Sequence, residues 1–124
     1  MISILLADDQ PFMRECLRMR LELEPDLRVV GEAGDGAAAI SLACDCCPDV
    51  VIMDISMPIL DGLAATAALR AILPATAVIV HSLYDDDITR ARARAAGAKA
   101  FVGKHTLEEP LIAAIRAAAT RREA

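Results

Sequence analysis

Five short apolar runs, each followed by a stretch with helical spacing, constrain this 124-residue chain more than anything else in it. The runs are Ile2-Ser3-Ile4-Leu5-Leu6-Ala7, a second at about 28–33, Val50-Val51-Ile52-Met53, Ala77-Val78-Ile79-Val80-His81 and Ala100-Phe101-Val102. An apolar run with little alternation reads as a strand covered on both faces, as in a parallel sheet. The intervening helices are predicted at about 11–23, 37–46, 62–72, 86–96 and 107–120. Pro11 suits a first helical turn, and Met13, Leu17 and Leu21 share one helix face. Gly34-Asp35-Gly36 reads as a turn, Pro74 stops the third helix, and Gly97 closes the fourth. Leu111, Ile112, Ile115, Ala118 and Ala119 form the inner stripe of the fifth helix, and Glu32 belongs near a sheet edge. Alternating βα units place helices on both faces of one parallel sheet, a single α/β domain over residues 1–124.

Composition narrows the function. A net charge of −5 argues against nucleic-acid binding through a broad basic face of this segment. No apolar run reaches the ~18–20 residues of a membrane span. The N-terminus enters a strand at once, without a basic region followed by a cleavage site, so the chain reads as cytoplasmic. Four cysteines fit reduced thiols. Cys44-Asp45-Cys46-Cys47 contains a CxxC, open to a redox or half-metal-site reading, but no second CxxC or nearby His completes a zinc set. The expectation is packing: Cys44 and Cys47 on the buried side of a helix end, Cys46 half exposed, and Cys16 in the core.

Polar residues stand where the strands stop. The first run ends in Asp8-Asp9, the third in Asp54, the fourth in Ser82, and Lys104 follows the fifth by two residues. Open α/β folds keep their chemistry at the carboxyl edge of the sheet, so these residues should converge there. Three clustered carboxylates repel and call for a cation, and hard oxygen ligands with room for water suit Mg²⁺. A lysine ammonium and a serine hydroxyl complement phosphoryl oxygens. An aspartate in such a site can attack phosphorus and form an aspartyl-phosphate, with metal and lysine stabilising the transferring oxygens. Asp8-Asp9 could instead cap the first helix; the company of Asp54, Ser82 and Lys104 favours a site. Asp61-Gly62 reads as turn and cap chemistry. Asp85-Asp86-Asp87 suit a helix start, and Arg90, Arg92 and Arg94 read as a solvated face. His81 and His105 read as structural.

The set Leu6-Ala7-Asp8-Asp9, Asp54…Met57-Pro58…Asp61-Gly62, Ser82 and Ala96-Gly97-Ala98-Lys99-Ala100-Phe101-Val102-Gly103-Lys104 resembles the response-regulator receiver (CheY-like) family, and most of all its NarL/FixJ-type branch. The resemblance covers essentially the whole chain. It implies a flavodoxin-like (βα)5 fold, doubly wound, with strand order 2-1-3-4-5. Asp54 would accept a phosphoryl group from a histidine kinase. Asp9, Asp54 and the backbone carbonyl of Ser56 would bind Mg²⁺ directly, and Asp8 through water. Lys104 would pair with Asp54 and then with the phosphoryl group. Ser82 and Phe101 would form the switch, while Ser56 and Tyr84 would tune access of water. The face of helix 4, strand 5 and helix 5 would then change to control an output. That output is expected to be transcription, through a DNA-binding domain beyond residue 124, with a homodimer as a further possible partner arrangement. The resemblance implies a switch that promotes its own phosphoryl transfer and dephosphorylation rather than an enzyme acting on other substrates. His105 follows Lys104 where the family often has proline; members of this branch commonly lack that proline. Phe101 lacks the phenolic hydroxyl, so its switching would rest on packing. Aspartate-nucleophile phosphatases want a second Asp two residues after the first, where Ser56 stands. Flavin binding wants a Ser/Thr/Gly-rich first loop, where Asp8-Asp9-Gln10-Pro11 stands.

Overall fold

A computed structural model describes residues 1–106 and 108–123. The elements alternate as expected: β1 (Ile2–Ala7), α1 (Pro11–Leu21), β2 (Leu27–Ala33), α2 (Gly36–Cys46), β3 (Val50–Met53), α3 (Gly62–Ile72), β4 (Ala77–Ser82), α4 (Asp87–Ala96), β5 (Ala100–Gly103) and α5 (Glu108–Glu123). All strand pairs are parallel, and the sheet order is β2-β1-β3-β4-β5. Helix α1 stops two residues before the expected 23, in a turn where the Leu23 N–H donates to the Arg20 carbonyl; Pro25 then bars the helix from continuing. The expected start of the last helix at 107 lies outside the described residues.

The apolar runs alternate between two cores. Ile4, Leu6, Val50, Ile52 and Ile79 face α1 and α5, where Leu17, Leu21, Leu111, Ile112 and Ile115 meet them. Leu5, Ala7, Val51, Met53 and Val78 face the other way, onto Ala39 and Ala43 of α2 and Ala65 and Leu69 of α3. A third cluster, Leu63, Val80 and Ala93 with Phe101 against it, seats α4. With only two Phe and one Tyr in the chain, small alanine faces let the helices approach the sheet closely. Burial on both sides explains why these strands lack polar alternation. Among the described residues no helix is long and apolar enough to cross a membrane.

The cysteine expectation is corrected. Cys16, Cys44, Cys46 and Cys47 are all exposed. The inner face of α2 is taken by Ala39 and Ala43, and Cys44 lies past that face. Cys47 adopts a left-handed C-cap at φ 46° and stays exposed, while the next residue, Pro48, is buried. Cys16 sits next to buried Leu17 but on the outer side of α1.

Candidate functional site

Strand register brings the acidic residues together. Ala7 of β1 lies opposite Met53 of β3, so the next residues, Asp8 and Asp54, leave the sheet side by side. The Asp54 N–H donates to the Ala7 carbonyl at 2.9 Å. On the other flank Ser82 pairs with Gly103, and the Lys104 N–H donates to the Ser82 carbonyl at 2.8 Å. Four strand ends therefore deliver Asp8, Asp54, Ser82 and Lys104 to one edge.

Asp61 and Gly62 hold the loop after Asp54. The Asp61 carboxylate caps α3 by accepting from the Ala64 N–H at 2.9 Å, as the sequence reading expects. Gly62 sits where a Cβ would lie 1.8 Å from the Asp54 carbonyl oxygen. Only glycine lets the start of α3 close against the backbone of this aspartate.

At the edge, Lys104 Nζ donates to Asp8 Oδ2 at 2.6 Å and lies 3.2 Å from Asp54 Oδ2. Asp8 Oδ1 accepts from the Gln10 N–H at 2.9 Å. Asp8, Asp9 and Asp54 each offer an oxygen within 4.8 Å of the others; Asp9 is the most open to solvent of the three. A cleft of about 210 Å³ over this cluster is lined by Asp9, Gln10, Asp54, Ser56, Ser82, Leu83, Tyr84 and Lys104. A larger depression of about 400 Å³ lies towards the opposite edge of the sheet, among Arg70, Thr76, Arg94 and Lys99. It has no carboxylate, so size alone would miss the chemistry.

The charges strain against burial. Burial pushes the Asp54 carboxyl up from its ordinary range; Lys104 pulls it back, and the charge of Asp8 adds to the rise. Burial opposes the Lys104 charge, but the hydrogen bond to Asp8 and the charges of both carboxylates outweigh it and hold the ammonium above its usual value. His81 is buried nearby. Burial first and the Lys104 charge second pull it down to about 4, so the ring is neutral at pH 7.

Every residue expected at the site except Phe101 lines the cleft or bonds within it. Phe101 stands to one side, packed on the α4 cluster. Lys104 is shared, with its shorter bond to Asp8 rather than to Asp54, the expected partner. Two features escaped the sequence reading. Gln10 lines the cleft, a polar residue with no motif to mark it. Arg90, read as part of a solvated face, bonds Asp85 and stacks on Phe101.

A parallel α/β sheet with three carboxylates and a lysine at its carboxyl edge narrows the class of protein, and comparison with known proteins identifies it. The sequence model of the response regulator receiver domain matches residues 4–116, and the chain belongs to that family. It is 42% identical over 118 residues to the uncharacterized transcriptional regulatory protein YxjL of Bacillus subtilis, covering 95% of this chain and 54% of that protein. It is 40% identical over 104 residues to a protein-glutamate methylesterase/protein-glutamine glutaminase of Caldanaerobacter subterraneus, covering 83% of this chain and 28% of that one. The signal receiver domain of the putative response regulator NarL from Mycobacterium tuberculosis superposes with a TM-score of 0.91 at 35% identity, over 96% of each chain. The chain thus spans about half the length of one curated relative and under a third of the other. It is a receiver domain of the two-component response regulators, related to transcriptional regulators of the NarL and LuxR type.

Proposed function

We propose that this domain is a phosphorylation switch in which Asp54 accepts a phosphoryl group from the phosphohistidine of a histidine kinase, with Mg²⁺ present. One observation carries the reading: a single buried lysine is shared by two of three clustered carboxylates under an open cleft. An Asp54 oxygen attacks phosphorus, the P–N bond of the donor breaks, and its electron pair returns to the donor imidazole. The products are an acyl phosphate on Asp54 and an unphosphorylated histidine on the kinase.

The carboxylates fit a hard divalent cation, since three oxygens lie within reach of one centre. Asp9, Asp54 and the Ser56 carbonyl would hold Mg²⁺ directly and Asp8 through water. When bound, the ion supplies positive charge to the transferring oxygens. Lys104 adds a fixed ammonium on the same side of Asp54. Ser82 Oγ accepts from the Tyr84 N–H at 3.0 Å, which leaves its own proton to donate to a phosphoryl oxygen. That bond draws in the loop after β4, and Phe101 follows. Ser56 and Tyr84 flank the cleft mouth and set how readily water reaches the acyl phosphate.

The readout is a changed α4–β5–α5 face that alters dimerisation or the hold on an output domain. In the whole protein that output is transcription through a DNA-binding domain, by analogy with the regulator relatives. Intact-mass measurement after incubation with acetyl phosphate and Mg²⁺ tests the core of this reading. The expected result is one added phosphoryl group on the wild type, and none on Asp54→Asn or with a chelator. An adduct that persists in Asp54→Asn, or a wild type that binds no Mg²⁺ and takes no phosphoryl group, overturns it.

A further inference from the structure

A second charged cluster stands beside the cleft, on its α4 side. Asp85 lies in the loop after β4, three residues beyond Ser82. Its Oδ1 accepts from Arg90 Nε at 2.5 Å and lies 2.5 Å from Arg90 Nη2. Its Oδ2 lies 3.3 Å from His105 Nε2. The Arg90 guanidinium in turn covers the Phe101 ring, with Cζ 4.7 Å from the ring centre. Gly103 makes room for this arrangement: a Cβ there would lie 2.9 Å from Asp85 Oδ2 and 2.8 Å from His105 Cε1. One carboxylate thus ties together the β4–α4 loop, α4, and the segment after β5. Its partner His105 directly follows Lys104.

We propose that Asp85 is the hub of a latch: it holds Arg90 over Phe101, and the two act as positioning residues that set how readily the ring moves when Asp54 is phosphorylated. The functional half rests on the phospho-acceptor reading above. A guanidinium over an aromatic face is attracted to the ring quadrupole. For the ring to leave, Arg90 must let go or follow, and a forked, charge-assisted contact to Asp85 keeps it from following. The latch favours the arrangement in which Arg90 covers Phe101, so losing it makes an arrangement with the ring elsewhere easier to reach.

The sequence offers a clean probe. Phe101 and Phe12 are the only phenylalanines, and Phe12 is exposed on α1. With labelled phenylalanine, Asp85→Asn should shift the Phe101 ring signals in NMR and leave those of Phe12 unmoved. Asp85 does not cover the ring itself, so the shift reports release of Arg90. Arg90→Gln should give a similar ring environment, and Arg90→Lys, which keeps charge without the fork, an intermediate one. Asp85→Asn and Arg90→Gln should each speed phosphoryl uptake from acetyl phosphate by about two- to fivefold, and the double variant no further. Unmoved Phe101 signals in Asp85→Asn overturn the latch, as does uptake equal to or slower than wild type in both variants. If the wild type takes up no phosphoryl group, the phospho-acceptor reading fails, while the ring signals still decide whether Asp85 holds Arg90 on Phe101.

Discussion

Two sites in this molecule share one formula, a cation between two carboxylates, and behave in opposite ways. At the carboxyl edge Lys104 joins Asp8 and Asp54, with side chains 6%, 4% and 10% exposed. On the surface between α1, β2 and α5, Arg116 joins Glu24 and Asp26, with side chains 44%, 26% and 44% exposed. The surface carboxyls are both held below their ordinary range, chiefly by hydrogen bonds from Arg116. Asp54 is pushed the other way, because burial outweighs the nearby lysine. Water makes the difference. Exposed charges stay solvated, and their pairing is a small correction. Buried charges lose their hydration and depend on partners for it. Three carboxylates with one lysine are under-compensated, which leaves the edge receptive to added positive charge.

The largest expected effect comes from removing the buried cation. Lys104→Met should cost about 3–5 kcal/mol in urea unfolding at pH 7, because Asp8 and Asp54 are left without their partner. Adding Asp54→Asn to Lys104→Met should return part of that loss. A double variant no more stable than the single one would break the account of unpaired charge.

Next is His81, beside the same lysine. Its folded value of about 4 lies below the ordinary 6.5. The unfolded chain therefore binds a proton that the folded chain refuses. The stability this contributes is complete above pH 6.5 and is lost as pH falls from there to about 4, by roughly 3 kcal/mol. Urea midpoints of His81→Leu across that window should fall less steeply than those of wild type. Parallel curves would show that the ring is not the group responsible.

The smallest effect belongs to the surface triad. Arg116→Ala should shift the unfolding midpoint little, and less still in high salt. Glu24 and Asp26 have folded values below their unfolded ones, so their contribution is present above the ordinary carboxylate range and lost as pH falls through it. The variant should differ from wild type only above that acidic limit. A loss at pH 7 comparable to that of Lys104→Met would erase the distinction between the two sites.

Much of this was legible in the chain. Continuous apolar runs mark strands covered on both faces, and β3 and α3 end at the expected residues. Polar residues that interrupt such runs at their ends must lie at one sheet edge if the strands are parallel, which is how Asp8, Asp54, Ser82 and Lys104 could be grouped from spacing. The cysteines misled because apolar character does not say which side of a helix faces inward when alanines can fill the inner face. Arg90 misled because its partners sit five residues before it and eleven after it, on different elements.

Local pattern and strand polarity are properties of the chain, and they determined the α/β order, the helix caps at Asp61 and Asp86, and which residues reach the carboxyl edge of the sheet. Tertiary packing alone decided how charge is shared there: that Lys104 bonds Asp8 more closely than Asp54, that Asp54 is pushed up while Glu24 is held down, and that Asp85 gathers Arg90 and His105. The physical reason is range. Hydrophobic periodicity is written in neighbours along the chain, whereas desolvation and ion pairing depend on which distant groups exclude water from the same few cubic ångströms.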